Sequence, residues 1–286
     1  MQSELPCWQL RGKKLLPIVQ GGMGIGISAH RLAGHVAALG ALGTISSVDL
    51  RHHHPDLLAQ TVDCHDRETL DRINLIALNR EIRAAHDIAR GRGAIAVNIM
   101  KAVAPHPAYV RQSCESGAHA IVMGAGLPLD LPDMTRDFPD VALIPILSDT
   151  RGVNIVVKKW LRKQRLPDAI IIEHPRYAGG HLGATRSDEI ADPHFDFDRV
   201  LPETLDMLRA LGLENNRIPL IPGGGIHTHQ QVRDLLRMCA SAVQIGTANY
   251  FDPTVSMKLL DQLPAALAEA RVESVQALVR TLKTNG

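Results

Sequence analysis

The sequence is poor in aromatic residues and has no excess of either charge. The first feature limits how the core can be built, and the second limits which partners the chain is expected to bind. Aromatic residues make up 3% of the 286 positions, so the core must be built largely from Ile, Leu, Val and Ala. The 31 basic and 30 acidic residues leave a formal charge of +1. So even a balance of charge gives no indication of a surface for nucleic acid or for an anionic membrane, and we expect the chain to bind neither.

Cysteine and long apolar runs are scarce as well. The four cysteines are widely spaced and form no C-x-x-C pair, which is typical of free thiols in a reducing compartment. Residues 1–14 contain no apolar region of signal-peptide length, and no later segment is apolar for long enough to span a bilayer. These features predict a cytoplasmic globular protein.

Short apolar runs of β-prone residues are what the sequence has in abundance. They are continuous rather than alternating, as is typical of parallel strands that are covered on both faces. Eight strands are predicted, at residues 16–20, 41–47, 94–99, 120–124, 142–147, 169–173, 219–222 and 242–246.

Amphipathic helical patterns fill most of the gaps between these runs. They predict helices at residues 29–39, 67–90, 108–115, 153–165, 203–211 and 230–239. Ser28 is the expected N-cap of the first helix, and Pro202 is expected at the start of the fifth, where its missing N–H costs little. Eight strands alternating with helices favour a (β/α)8 TIM barrel over a doubly wound sheet, with residues 1–286 as one domain.

Three further segments have their own character. Residues 125–139 contain three prolines and little helical pattern, which indicates an irregular loop. Residues 184–199 are polar with five acidic side chains, and so long a connection in a compact barrel is a candidate lid. Residues 250–286 are expected to form closing helices.

Glycines cluster where the predicted strands end. In a TIM barrel the active site lies at the carboxyl ends of the strands, and a phosphate is commonly held at the last two, by backbone N–H groups and the start of a short helix. The residues at these ends are Gly21, Gly22, Gly180, Gly224, Gly225 and Gly246, the last followed by Thr247. Their positions predict a site for a phosphate-bearing ligand at one mouth of the barrel.

His181 is the candidate catalytic residue. It follows two glycines that let the backbone approach a ligand, and its imidazole titrates near neutral pH. His52-His53-His54 is interpreted as a solvated turn, because three consecutive side chains cannot face one ion in regular structure, and no metal site is expected. The run 22–27 does not complete G-x-G-x-x-G and no P-loop motif occurs, which excludes both dinucleotide and P-loop folds.

Five ordered motifs resemble those of the nitronate monooxygenases, formerly called 2-nitropropane dioxygenases. They are Pro17-Ile-Val-Gln-Gly-Gly-Met23, Ala96-Val-Asn98, Ala178-Gly-Gly-His-Leu-Gly183, Pro222-Gly-Gly-Gly-Ile226 and Ala242-Val-Gln-Ile-Gly-Thr247. The same skeleton is similar to that of flavin-dependent enoyl-acyl-carrier-protein reductases, trans-acting enoyl reductases and NAD(P)H:quinone reductases.

The resemblance implies an FMN-binding barrel and assigns roles within it. The backbone of Gly21, Gly22 and Met23 would pass along the isoalloxazine ring, and Asn98 would bond its pyrimidine side. His181 would be the catalytic histidine over the reacting face. The phosphate end would be surrounded by Gly180, Gly224, Gly225, Gly246 and Thr247, with Gln244 nearby.

Four functions stay open at this point. The leading hypothesis is oxidation of alkyl nitronates with O2, with His181 as the base that removes a proton next to a nitro group. The alternative is an NAD(P)H-dependent reductase of quinones or enoyl thioesters, with His181 as proton donor. A flavin-free barrel similar to IMP dehydrogenase would need a cysteine at a strand's carboxyl end, and none of the four is placed there. A non-catalytic binding protein is the fourth, and a homodimer is open for each.

Overall fold

The computed structural model describes residues 6–178, 186–213 and 218–269. The described chain begins with an antiparallel hairpin of β1 (Trp8–Leu10) and β2 (Lys13–Leu15), which the sequence analysis did not predict. Arg11 and Gly12 form its two-residue turn with φ values of 46° and 77°, and this turn matches the twist of the paired strands. Trp8 is buried, and its indole Nε1 donates to the carbonyl of Leu16 over 2.9 Å.

Eight parallel strands then close into a barrel, which confirms the predicted TIM-barrel class. They are β3 (Ile18–Gln20), β4 (Leu42–Ser46), β5 (Ala94–Met100), β6 (Ala120–Gly124), β7 (Ala142–Leu147), β8 (Ile170–Glu173), β9 (Leu220–Gly223) and β10 (Val243–Ile245). Each predicted strand is present with bounds that differ from the expected ones by two residues at most, and β10 closes the ring by pairing with both β3 and β9.

The helices surround this barrel. They are α1 (His30–Ala38), α2 (Pro55–Ala59), α3 (Arg67–Ala89), α4 (His106–Glu115), α5 (Leu131–Met134), α6 (Thr150–Leu161), α7 (Phe197–Ala210), α8 (His229–Arg237), α9 (Thr247–Phe251) and α10 (Val255–Glu269). None of the helices within the described ranges is both long and apolar enough to cross a membrane.

Two apolar clusters form the core, one on each side of the strands. The outer cluster packs strand side chains such as Ile45 and Ile95 against the helices. The inner cluster fills the barrel, and the hairpin side chains Trp8, Leu10 and Leu15 belong to it. Because Leu42 and Ala94, which begin their strands, are in the same cluster, the hairpin covers the amino end of the barrel. The carboxyl end is left for the site.

Two helix predictions were wrong in detail. Ser28 does not cap α1, whose N-cap is Ala29 without a side-chain bond, because the Ser28 hydroxyl is engaged by the first glycine loop. Pro202 does not begin a helix, because α7 starts five residues earlier at Phe197 and contains it. Pro202 has no backbone N–H to donate to the carbonyl of Asp198. Because Asp198 is exposed, water can reach that carbonyl instead.

The predicted loops contain short ordered turns. Residues 125–139 include the single-turn helix α5, so the expectation of an irregular loop was wrong there. Within the candidate lid, residues 187–191 and 193–195 form 3-10 turns and the last three residues begin α7. Of the expected closing helices, one is present among the described residues, as α10.

Candidate active site

Two adjoining cavities lie at the carboxyl end of the barrel. The glycine cavity has a volume of about 630 Å³ and is walled by the loops after β3, β8, β9 and β10. The apolar cavity, of about 730 Å³, extends from there towards β4, β5, β6 and β7. Gly22, Met23, Glu173 and Thr247 line both cavities and therefore mark their junction.

The structure brings most of the predicted cofactor residues together. Eight of them line the glycine cavity: Gly21, Gly22, Met23, Gly224, Gly225, Gln244, Gly246 and Thr247. Asn98 lines the apolar cavity. Gly180 and the predicted catalytic His181 lie outside the described residues.

The first glycine loop is fixed by a buried polar cluster at its base. Gln20 is fully buried at the end of β3, where its Nε2 donates to the Ser28 hydroxyl over 2.8 Å and its Oε1 accepts from the Thr44 backbone N–H over 3.0 Å. The Ser28 hydroxyl in turn accepts from the Met23 N–H and donates to the carbonyl of Gly21. Because each of these groups has its partners, the loop is held in one conformation before any ligand binds.

Gly22 allows this loop to lie directly against Asn98. A Cβ at position 22 would sit 2.8 Å from the Asn98 Nδ2 and closer still to the Asn98 Cβ, which is not possible without movement. The loop backbone and the amide of β5 are therefore packed face to face at the junction of the two cavities.

Gly224 and Gly225 are required by backbone conformation. Their φ values of 109° and 73° lie in the region that other residues avoid. The Tyr177 ring packs on this turn, so that a Cβ at position 225 would be 3.2 Å from the Tyr177 Cγ. The turn therefore requires glycine at both positions, whether or not a ligand binds.

Gly246 differs from them because its φ is negative, at −104°, and a Cβ there would meet nothing within 4 Å. The next residue, Thr247, begins α9, and the first N–H groups of a helix have no partner within it. Gly246 therefore leaves open space beside backbone donors.

Gln244 crosses the floor of the glycine cavity between two further glycines. A Cβ on Gly21 would lie 3.1 Å from its Cδ, and a Cβ on Gly223 would lie 3.0 Å from its Nε2. The absence of side chains at both positions lets the Gln244 amide reach across the strands. There it donates from Nε2 to the Glu173 carboxylate over 2.6 Å.

Glu173 is a site residue that the sequence analysis did not propose. Burial raises the pKa of its carboxyl to about 7, although the hydrogen bond from Gln244 acts in the opposite direction. A carboxyl with this pKa can hold or release a proton near neutral pH. The available signal was the single acidic residue that ends an otherwise apolar strand.

The triple histidine is only partly the solvated turn that the sequence predicted. His52 and His53 are exposed, but the His54 Nε2 lies 3.0 Å from the fully buried carboxylate of Glu81. Glu81 also accepts from the backbone N–H of His30 over 2.7 Å and contacts its ring over 2.8 Å. Burial lowers the pKa of His54. Over the described ranges, no three His, Cys, Asp or Glu side chains are arranged to hold a metal ion.

The fold and the site define a class. A parallel eight-stranded barrel with a glycine-walled cavity at its last two strands, beside the amides that begin a short helix, is the arrangement by which TIM-barrel enzymes hold phosphate groups. The model of the nitronate monooxygenase family matches residues 9–251, and the chain belongs to that family.

Solved structures share the fold at low sequence identity. Nitroalkane oxidase from Streptomyces ansochromogenes superposes with a TM-score of 0.57 at 19% identity, covering 82% of this chain and 65% of that one. FabK from Thermotoga maritima gives a TM-score of 0.54 at 20% identity, covering 81% of this chain and 58% of its own.

Curated relatives match over a shorter stretch. The catalytic subunit of dihydroorotate dehydrogenase B (NAD(+)) from Enterococcus faecalis is 37% identical over 68 residues, or 24% of this chain and 22% of that protein. The same subunit from Malacoplasma penetrans is 43% identical over 58 residues, or 20% of this chain and 19% of that protein. The match thus spans about a fifth of each curated relative.

Proposed function

We propose that this protein is a nitronate monooxygenase that binds FMN and oxidises alkyl nitronates with O2. The observation that carries the proposal is the joining of a glycine cavity with an apolar cavity at the mouth of a barrel whose sequence matches this family. The glycine cavity suits the phosphate end of the cofactor, and the apolar cavity has room for the cofactor's ring system with an organic substrate against it.

The residues present fit FMN. The open space beside Gly246, next to the amides that begin α9, suits a phosphate group, because helix-start amides favour an anion. Gly224 and Gly225 would complete this end of the site with Gly180, and Gln244 lies beside it. The loop of Gly21, Gly22 and Met23 would hold the ring system, with the Asn98 amide as its polar partner. When bound, FMN supplies the electron transfer between the organic substrate and O2.

The proton chemistry is assigned to His181. A neutral imidazole would remove the proton from the carbon next to a nitro group, and the resulting imidazolium would stabilise the nitronate anion. In the overall reaction two nitronates and one O2 give two carbonyl compounds and two nitrite ions. In each nitronate the C=N bond breaks and a C=O bond forms, and the four electrons released reduce the O2.

A reductase is the second candidate, because of Glu173. A carboxyl with a pKa of about 7 at the junction of the cavities can supply a proton to an acceptor, and His181 is the other proposed donor. In that reaction NAD(P)H would provide a hydride and the enzyme a proton, so that a quinone or an enoyl thioester gains two electrons and two hydrogens.

The deciding experiment is the visible spectrum of the purified protein after incubation with FMN and removal of free flavin. A bound-flavin spectrum that is bleached anaerobically by ethyl nitronate, with no response to NADPH or NADH, supports nitronate oxidation. Bleaching by a nicotinamide nucleotide alone supports the reductase. Failure to retain flavin would overturn both.

The base is tested separately by His181→Asn. We expect this variant to retain FMN and to oxidise pre-formed nitronate, while its turnover of the neutral nitroalkane falls by about 10²-fold or more. Equal turnover of neutral nitroethane by the variant and the wild type would show that His181 is not the base.

A further inference from the structure

Glu173 is the only titratable residue in the eight barrel strands that the structure describes. Every other position of β3 to β10 is apolar, a glycine, a proline or a neutral polar residue. Glu173 occupies the last position of β8, where its side chain lines both the glycine cavity and the apolar cavity. The strands of the barrel therefore carry a single ionisable group, and it stands where the two cavities join.

The Glu173 carboxyl is fixed at this junction by its neighbours. The Gln244 amide donates to it over 2.6 Å, and the clearance that Gly21 and Gly223 provide lets Gln244 reach it. Gly223 is also the register partner of Glu173 on β9, so no side chain from that position covers the carboxyl. A carboxyl held in this way acts on any charge that binds at the junction.

Within the described residues, no lysine or arginine lines either cavity to offset a negative charge on Glu173. The ring of His174, the next residue along, is engaged with Asp196, with 3.0 Å between Nε2 and Oδ1. His181, the proposed base, lies outside the described residues. The other titratable side chains that line the two cavities follow β8, β9 and β10: Tyr177, His227, Tyr250 and Asp252.

The proposed substrate is an anion that must come close to this carboxyl. A nitronate can exchange electrons with FMN only where its reacting head lies against the flavin ring. The ring is assigned to the loop of residues 21–23, and Gly22 and Met23 line the same junction as Glu173. Two negative charges repel each other more strongly inside a protein than in water. Burial raises the pKa of Glu173 to about 7, so its neutral form is available near neutral pH.

We propose that Glu173 decides whether the site accepts an anion: the nitronate binds while the carboxyl carries its proton and is repelled once that proton is lost. The inference rests on the proposed function for the anionic head and for the flavin beside it. Because a bound anion makes the ionisation of Glu173 more costly, anion binding is coupled to proton uptake. The affinity for anions should therefore fall as pH rises through neutrality, whereas the affinity for neutral ligands should not change.

Binding of an unreactive carboxylate tests this coupling without turnover. Propanoate resembles ethyl nitronate in charge and size, and propanamide is its neutral counterpart. In calorimetric titration of the FMN-reconstituted wild type, propanoate binding should weaken by about tenfold or more between about pH 6 and about pH 9. Titration near pH 8 in buffers of different ionisation enthalpy should detect proton uptake with propanoate and none with propanamide. Equal propanoate affinity at both ends of the range overturns the proposal.

Two variants identify the group that takes up the proton. Glu173→Gln keeps an oxygen for the Gln244 amide but cannot ionise, so its propanoate affinity should stay constant above about pH 7. His181→Asn removes the other proposed proton carrier and should retain the fall in affinity. Glu68→Gln, on an exposed turn of α3, is the matched control and should behave as the wild type. If the fall persists in Glu173→Gln and disappears in His181→Asn, the histidine controls anion binding and the proposal is wrong.

The same titrations separate this proposal from the proposed function. Propanoate binding that depends on the proton of Glu173 supports the inference even if no nitronate is oxidised. Binding that does not depend on pH overturns it even if ethyl nitronate is a good substrate.

Discussion

Glu173→Gln should change how the stability of the protein depends on pH. The carboxyl has a pKa of about 7 in the folded protein against 4.5 for an unperturbed group, because burial disfavours its charge. The folded state therefore keeps its proton where the unfolded state has lost it. Stability should fall as pH rises from about 4.5 to about 7, and remain constant above that window.

The size of the effect follows from the two pKa values. At about 1.4 kcal/mol per pKa unit, the difference between about 7 and 4.5 gives an upper bound of about 3–4 kcal/mol. Water in the cavity reduces this figure, so we expect about 1–3 kcal/mol. The amide introduced by Glu173→Gln would keep an oxygen that accepts from Gln244, so the variant removes the charge and retains the hydrogen bond.

The assay is urea unfolding of the wild type and Glu173→Gln at several pH values between 4.5 and 8, with and without FMN. Relative to the wild type, the variant should gain about 1–3 kcal/mol in free energy of unfolding between the ends of this range. Glu68→Gln, on an exposed turn of α3, is the matched control and should show no such gain. Parallel curves for Glu173→Gln and the wild type would refute the reasoning.

Three further outcomes are expected. Gly22→Ala places a methyl group against Asn98, so FMN binding measured by fluorescence titration should weaken by about tenfold or more, with about 1–3 kcal/mol lost in urea unfolding; unchanged affinity would contradict the packing described. Glu81→Ala leaves His30 without its buried partner and should cost about 3–5 kcal/mol, whereas a loss below about 1 kcal/mol would show that the cluster is not structural. Burial lowers the pKa of His119 to about 4, so the midpoint of its titration, followed by NMR, should lie near pH 4. Since the unfolded state takes up this proton first, the protein should lose stability as pH drops from about 6.5 to about 4. A titration midpoint near 6.5 would contradict this.

The barrel could be predicted from the sequence because burial on both faces leaves a strong signal. Strands such as β6 and β7 are apolar at almost every position, and their predicted bounds agree with the observed ones. The hairpin of β1 and β2 has no comparable signal. Its strands are three residues long, and the burial of Trp8 results from packing at the barrel's amino end.

The glycines of the site could be predicted because they occur at the ends of strands. Gly224, Gly225 and Gly246 could be placed at one mouth because a barrel brings its strand ends together. The role of Glu173 could not be predicted in this way, because it depends on a contact with Gln244, 71 positions further along the chain. Ser28 was misassigned for the same reason, since its partners are set by how the loop folds back on β3.

Two of the glycines in the site serve a neighbouring side chain. Gly21 and Gly223 lie on the strands or strand ends that flank Gln244, and each gives that glutamine the clearance of one missing methyl group. The residue types allowed at these three positions are therefore coupled by steric contact. Where a relative carries a smaller residue in place of Gln244, the constraint on both glycines is released together, and larger residues become acceptable at positions 21 and 223.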